Sequence, residues 1–169
     1  MTTIIILAGI LQSIFISLGV GSSTLAILNF FAAIKDGTID AIERHMMGVV
    51  YLVLRIAMMG ILLTTVVLQT PQIWVSGFTS MSVVAVTQMT LIAMLFLNAT
   101  LMTRRLMPST FGPGIQAGTW YSLGLIAALQ LQGLADFSFG LFLVGYVLLV
   151  GLAVGVVNLY MKLRKQVGQ

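Results

Sequence analysis

The run HMMGVVYLVLRIAMMGILLTTVVLQ, residues 45–69, decides the fold class. A helix needs about 20 apolar residues to cross a hydrocarbon core of about 30 Å, and this run is long enough. Arg55 sits well inside it. If the membrane begins near His45, Arg55 lies about ten residues or 15 Å deep. A charge at the centre of a span costs at least about 2.5–3.5 kcal/mol unless it snorkels or finds acceptors.

The rest of the chain agrees with a lipid solvent. Of its 169 residues, 59% are hydrophobic and 7% charged, against about 25% charged in soluble domains. The net charge of +4 does not point to nucleic acid, because the basic residues sit in short pieces between apolar runs, as topology signals do. There is no cysteine, so disulfides, iron–sulfur clusters and thiolate metal sites are excluded. One histidine cannot form a histidine pair for haem or metal. Met46, Met47, Met58, Met59, Met81, Met89 and Met94 lie in or near spans. Thioethers suit Cu(I), but methionine is also ordinary apolar filling, and packing is the expectation. No cofactor is expected.

Working outward from helix 2 (about 40–69), the pattern gives an all-α single membrane domain with further helices at about 3–36, 77–103, 116–133 and 138–163. The apolar run from Ile4 lacks the basic flank of a signal peptide and continues past Ser23 to Ile34, so it reads as an uncleaved first helix. That helix would be about 50 Å long, so it must tilt, protrude or break. The break candidate is Gly19-Val-Gly-Ser-Ser-Thr24; the competing reading makes Gly19 and Gly21 a small-residue packing seam. Gly37 suits a left-handed helix end, and Asp40 with Glu43 suits a capping box opening helix 2. Thr70-Pro71-Gln72 should end helix 2, and Trp74 belongs at an interface. Gly151-Leu-Ala-Val-Gly155 is a close-approach motif for a neighbouring helix and only weak evidence of dimerisation.

Five spans put Lys35, Arg44, Arg104, Arg105, Lys162, Arg164 and Lys165 on one side and no lysine or arginine on the other. This is a positive-inside pattern, with the N-terminus outside and the C-terminus cytoplasmic.

No acidic residue lies within a span, so Arg55 must look to carbonyls, hydroxyls, amides, water or a bound anion. Depth matching nominates Ser22, Ser23 and Thr24 of helix 1, and Tyr51 lies one turn away on helix 2. Two readings stay open: an anion, lipid-headgroup or substrate site between helices 1 and 2, or a structural clamp. His45, beside Arg44, reads as a solvated interface residue. No nucleophile–base pair, phosphate loop or metal cluster is visible, which disfavours an enzyme. The absence of an intramembrane carboxylate disfavours a proton-coupled pump.

Gly19-x-Gly21-x-x-Thr24, Asn29-Phe-Phe31 and Lys35-Asp-Gly-x-Ile39-x-x-x-Glu43, with Asn98 before a basic loop, resemble a group of uncharacterised bacterial polytopic membrane proteins. The resemblance is specific over about residues 17–45 and implies fold and topology, with no activity to carry over. The expected location is a bacterial inner membrane. The expected partner is the lipid bilayer, with a homo-oligomer or a larger membrane complex as further partners. Small-solute or anion transport, permeation or ligand binding leads. An accessory subunit comes second, and a haem- or quinone-binding redox protein third.

Overall fold

The computed structural model describes residues 2–35, 40–77, 80–108 and 111–167. Five helices follow one another: α1 (Thr2–Lys35), α2 (Ala41–Ser76), α3 (Val83–Thr103), α4 (Gly112–Leu131) and α5 (Phe139–Val167). Four of them, α1, α2, α3 and α5, are long and apolar enough to cross a membrane. Gly37, expected as the end of α1, lies outside the described residues.

The helix starts follow local chemistry. Asp40 accepts from the Glu43 N–H at 2.6 Å, and the Glu43 carboxylate accepts from the Asp40 N–H at 3.2 Å. This is the capping box expected from the sequence, and it satisfies two donors at the start of α2. Ser82 caps α3 by accepting from the Ala85 N–H at 3.2 Å.

Several features differ from the sequence expectation, among them the start of α3, which lies at Val83 behind the Ser82 cap rather than at about 77. α2 does not stop at Pro71 but carries it inside and runs on to Ser76. Pro71 has no N–H to give the preceding turn. The carbonyl it leaves without a helical donor is that of Val67, one turn back; the neighbouring Thr70 hydroxyl donates to the Val66 carbonyl at 2.6 Å. Gly77, at φ 74°, closes α2, and the exposed Trp74 sits near that end. α4 starts at Gly112 rather than Gln116, with Pro113 in its first turn. There a missing N–H costs nothing and φ is already helical. α1 is continuous through Gly19–Thr24, so the proposed break is absent.

α1 and α2 form a long antiparallel hairpin, and α4 lies at the centre, against α1, α3 and α5. Trp120 of α4 is fully buried among Ile16, Ala57, Ile61, Leu91, Leu95 and Leu123. α4 has more buried positions than any other helix among the described residues. Because protein rather than lipid covers it, it can afford Gly114, Gly118, Thr119 and Ser122 on its buried surface.

Hydrogen bonds tie the helices in pairs. Gln12 donates to Thr65 (α1–α2, 2.8 Å), and Gln88 donates to Gln130 (α3–α4, 2.9 Å). Thr24 and Tyr121 share a bond (α1–α4, 2.9 Å), as do Thr119 and Tyr146 (α4–α5, 3.0 Å). Among the described residues no side-chain hydrogen bond joins α2 to α3, and these two helices touch only sparsely. A groove remains between them.

Candidate functional site

Arg55 opens onto that groove. Its side chain is exposed and makes no hydrogen bond or ion pair with any described residue. Two adjoining recesses share Arg55, Met58, Ala99 and Thr103 as lining. One, of about 380 Å³, adds Met59, Phe96, Thr100 and Arg104. The other, of about 250 Å³, adds Tyr51, Leu54, Met102 and Gln116. Two arginines therefore line the groove, with no carboxylate beside them.

Neighbouring amides shape the inner wall. Asn98 of α3 donates to the Gln116 carbonyl oxygen at 2.9 Å and to the Gly112 carbonyl at 3.1 Å. This fixes the first turn of α4 against α3. Gln116 Nε2 in turn reaches only the Met58 sulfur, at 3.7 Å. A thioether is a weak acceptor, so this donor is poorly satisfied. Asn98 Oδ1 is buried with no partner.

The neighbours of Arg55 give a second measure of its depth, beside the count inward from His45. Arg55 shares a recess with Thr103, the last residue of α3, and with Arg104 just beyond. α3 has 21 residues, or about 31 Å, which is about the thickness of one hydrocarbon core. If α3 crosses a bilayer once, a residue level with its end sits near the headgroup boundary. The first turns of α2, residues 41–54, run about 21 Å further. The α1–α2 hairpin continues past the α3–α4 loop, so counting from the end of α3 gives a shallower Arg55 than counting from His45.

The nominated partners separate. Tyr51 stays with Arg55 in the smaller recess. Ser23 is buried and meets Tyr51 and Gln116 across a pocket of only about 30 Å³. Ser22 is buried and lines neither recess. Thr24 bonds to Tyr121 and to the Val20 carbonyl. The walls around Arg55 come from α2, α3 and α4, and none from α1. The reason is that α1 buries its small residues against α4, where Gly19 meets Trp120 and Val20 meets Gly124.

Of the two seam glycines, Gly19 is a packing position and Gly21 faces open space. A side chain at Gly151 or Gly155 would also meet nothing within 4 Å among the described residues. The close approach to α5 is made instead by Gly114 and Gly118 of α4, against Val154 and Val150.

Sequence reasoning missed Arg104, Thr103, Gln116 and Met58 as neighbours of Arg55. Met58 is one helical turn from Arg55 and could have been counted; the other three depend on how α2, α3 and α4 are offset. His45 lines a shallow recess with Arg44 and Gly48, away from Arg55.

Comparison with protein-family models, with characterised proteins and with solved structures finds no match to this chain.

Proposed function

We propose that the protein is a non-enzymatic membrane protein of a bacterial inner membrane that binds an anionic ligand in the α2–α3 groove around Arg55. In this reading all five helices span, with the N-terminus outside and the basic ends of α3 and α5 in the cytoplasm. The charge asymmetry of the connecting segments supports the orientation. The buried position of α4 supports a fifth span, since a helix shielded from lipid does not need a fully apolar surface.

The observation that carries the reading is the unpartnered Arg55 guanidinium in a recess it shares with Arg104 and no acid. Two like charges lining one recess favour an anion between them, which would accept hydrogen bonds from both. Passage of an anion through the middle of one chain is disfavoured, because Ile61, Leu91, Leu95, Trp120 and Leu123 close the interior. Transport would have to follow the groove or depend on several copies.

A ligand that binds only the folded protein raises its unfolding temperature by mass action. Purified protein in neutral detergent should therefore gain thermal stability from anionic amphiphiles or phosphate, and the Arg55→Gln variant should gain much less. Equal gains in both proteins, or none in either, would end the proposal.

A second reading is an accessory subunit of a larger complex. It is favoured by the α5 face around Gly151 and Gly155, which has no neighbour among the described residues, with Leu148 and Leu152 strongly exposed beside it.

A further inference from the structure

We infer that the ligand of the Arg55 groove is an anionic glycerophospholipid that enters sideways from the bilayer, with its phosphate between Arg55 and Arg104 and an acyl chain along Met58, Met59 and Phe96. The inference rests on the anion-site reading and narrows it to one ligand class.

Three observations favour a lipid over a small water-borne anion. The first is depth. Arg55 is level with the end of α3, which is where a phosphate ester sits if α3 crosses the bilayer once. The second is the lining. Apart from the two arginines and the threonine hydroxyls of the last turn of α3, the larger recess is walled by Met58, Met59, Phe96 and Ala99. A small hydrated anion gains nothing from such walls, whereas an acyl chain can lie on them. Methionine, being unbranched and polarisable, adapts to chains of varied shape. The third is access. Arg55 and Met59 are both exposed on the outer surface of α2, so the groove opens toward the surrounding lipid rather than into the closed interior.

Charge sets a preference within the class. Two guanidinium groups match a phosphate monoester, which carries more than one negative charge near neutral pH, better than a diester with one. Phosphatidic acid should therefore bind more tightly than phosphatidylglycerol, and phosphatidylcholine least. Thr100 and Thr103 both line the recess. Their hydroxyls already donate to the carbonyls of Phe96 and Ala99, so the arginines must supply the main donors.

The test titrates the purified full chain in neutral detergent with short-chain phosphatidic acid, phosphatidylglycerol and phosphatidylcholine. A parallel arm uses glycerol 3-phosphate, the same phosphate without its chains. The expected order is phosphatidic acid, then phosphatidylglycerol, then phosphatidylcholine, and glycerol 3-phosphate should not displace the lipid at hundredfold excess. Arg55→Gln and Arg104→Gln should each weaken phosphatidic acid binding about fivefold. Met59→Gln should also weaken it by making the chain-bearing wall polar. All three side chains are exposed, and unchanged thermal unfolding of the free variants checks that they fold normally.

If glycerol 3-phosphate binds as well as the lipid, or if Met59→Gln has no effect, the lipid inference falls and the anion site stands. Equal binding of all three lipids, or indifference to both arginine variants, overturns the inference and the anion site together.

Discussion

Gly19 of α1 lies under the indole of Trp120 of α4, and the ring occupies the space that a side chain at position 19 would need. A methyl group there would overlap the six-membered part of the ring. Trp120 is fully buried, so it has little room to retreat. This pair sets how closely α1 and α4 approach.

Gly19→Ala should destabilise the protein by about 1–3 kcal/mol through overpacking. Trp120→Ala removes the ring and should cost about 3–5 kcal/mol through the cavity left behind. The two changes act on one space, so the double variant should be less impaired than the sum of the singles. Thermal unfolding of the four proteins in one detergent measures this. Additive losses would mean that the ring and the glycine do not depend on each other.

The glycines of α4 and α5 should respond in opposite ways. A Cβ at Gly114 or Gly118 would press on the backbone of Val154 or Val150, and backbone yields less readily than the end of a side chain. Gly114→Ala or Gly118→Ala should lower stability by about 1–3 kcal/mol. Gly151→Ala and Gly155→Ala meet open space and should be neutral, or stabilising by up to about 1 kcal/mol through helix propensity. A loss of oligomer mass on light scattering in the Gly151 or Gly155 variants would instead support the subunit reading.

The helices were legible because their signals are local. The apolar runs gave all five helices, and Asp40 with Glu43 marked the start of α2 to the residue. Pro71 and Pro113 misled in opposite directions. The first is carried inside α2, at the cost of the one helical bond its missing N–H would have made to Val67. The second opens α4, where a missing N–H is harmless. The surroundings of Arg55 were only half legible. Tyr51 is one helical turn away and could be counted, but Thr103, Arg104 and Gln116 depend on how α2, α3 and α4 are offset along their axes. That offset comes from packing, such as the Asn98–Gln116 bond between α3 and α4. Depth matching compares α1 with α2 and does place Ser23 level with Tyr51; it is silent on α3 and α4, which supply the other walls around Arg55.

Asn98 links stability to the groove. It holds the Gly112 carbonyl and the Gln116 side chain together. Asn98→Leu should cost about 1–2 kcal/mol, in the range for interhelical polar contacts in membranes. It should also release Gln116, which lines the smaller recess with Arg55. Binding of the Arg55 ligand should then weaken even under conditions where the protein remains fully folded. If stability falls and binding does not, the amide pair is a clamp with no part in the groove.

Arg105 is the remaining test, because it separates helix termination from ligand binding. α3 ends with Arg105 N–H donating to Met102 at 3.0 Å and Leu106 N–H donating to Leu101 at 2.9 Å. α4 ends in the same pattern, with Gly133 donating to Gln130 and Leu134 to Leu129. The residue in the left-handed position is a glycine in α4, at φ 69°, and an arginine in α3, at φ 57°. A side chain in that conformation costs about 1–2 kcal/mol, and glycine avoids the cost. Arg105→Gly should therefore raise stability by about 0.5–1 kcal/mol, less than the full strain because glycine also loosens the unfolded chain. Arg105 does not line the recesses that hold Arg55 and Arg104. Anion binding by Arg105→Gly should stay within about twofold of wild type, allowing for the lost background charge. If the variant is less stable, the Arg105 side chain contributes more than its backbone strain costs. If instead it is more stable but loses the ligand, Arg105 belongs with Arg104 in the anion site.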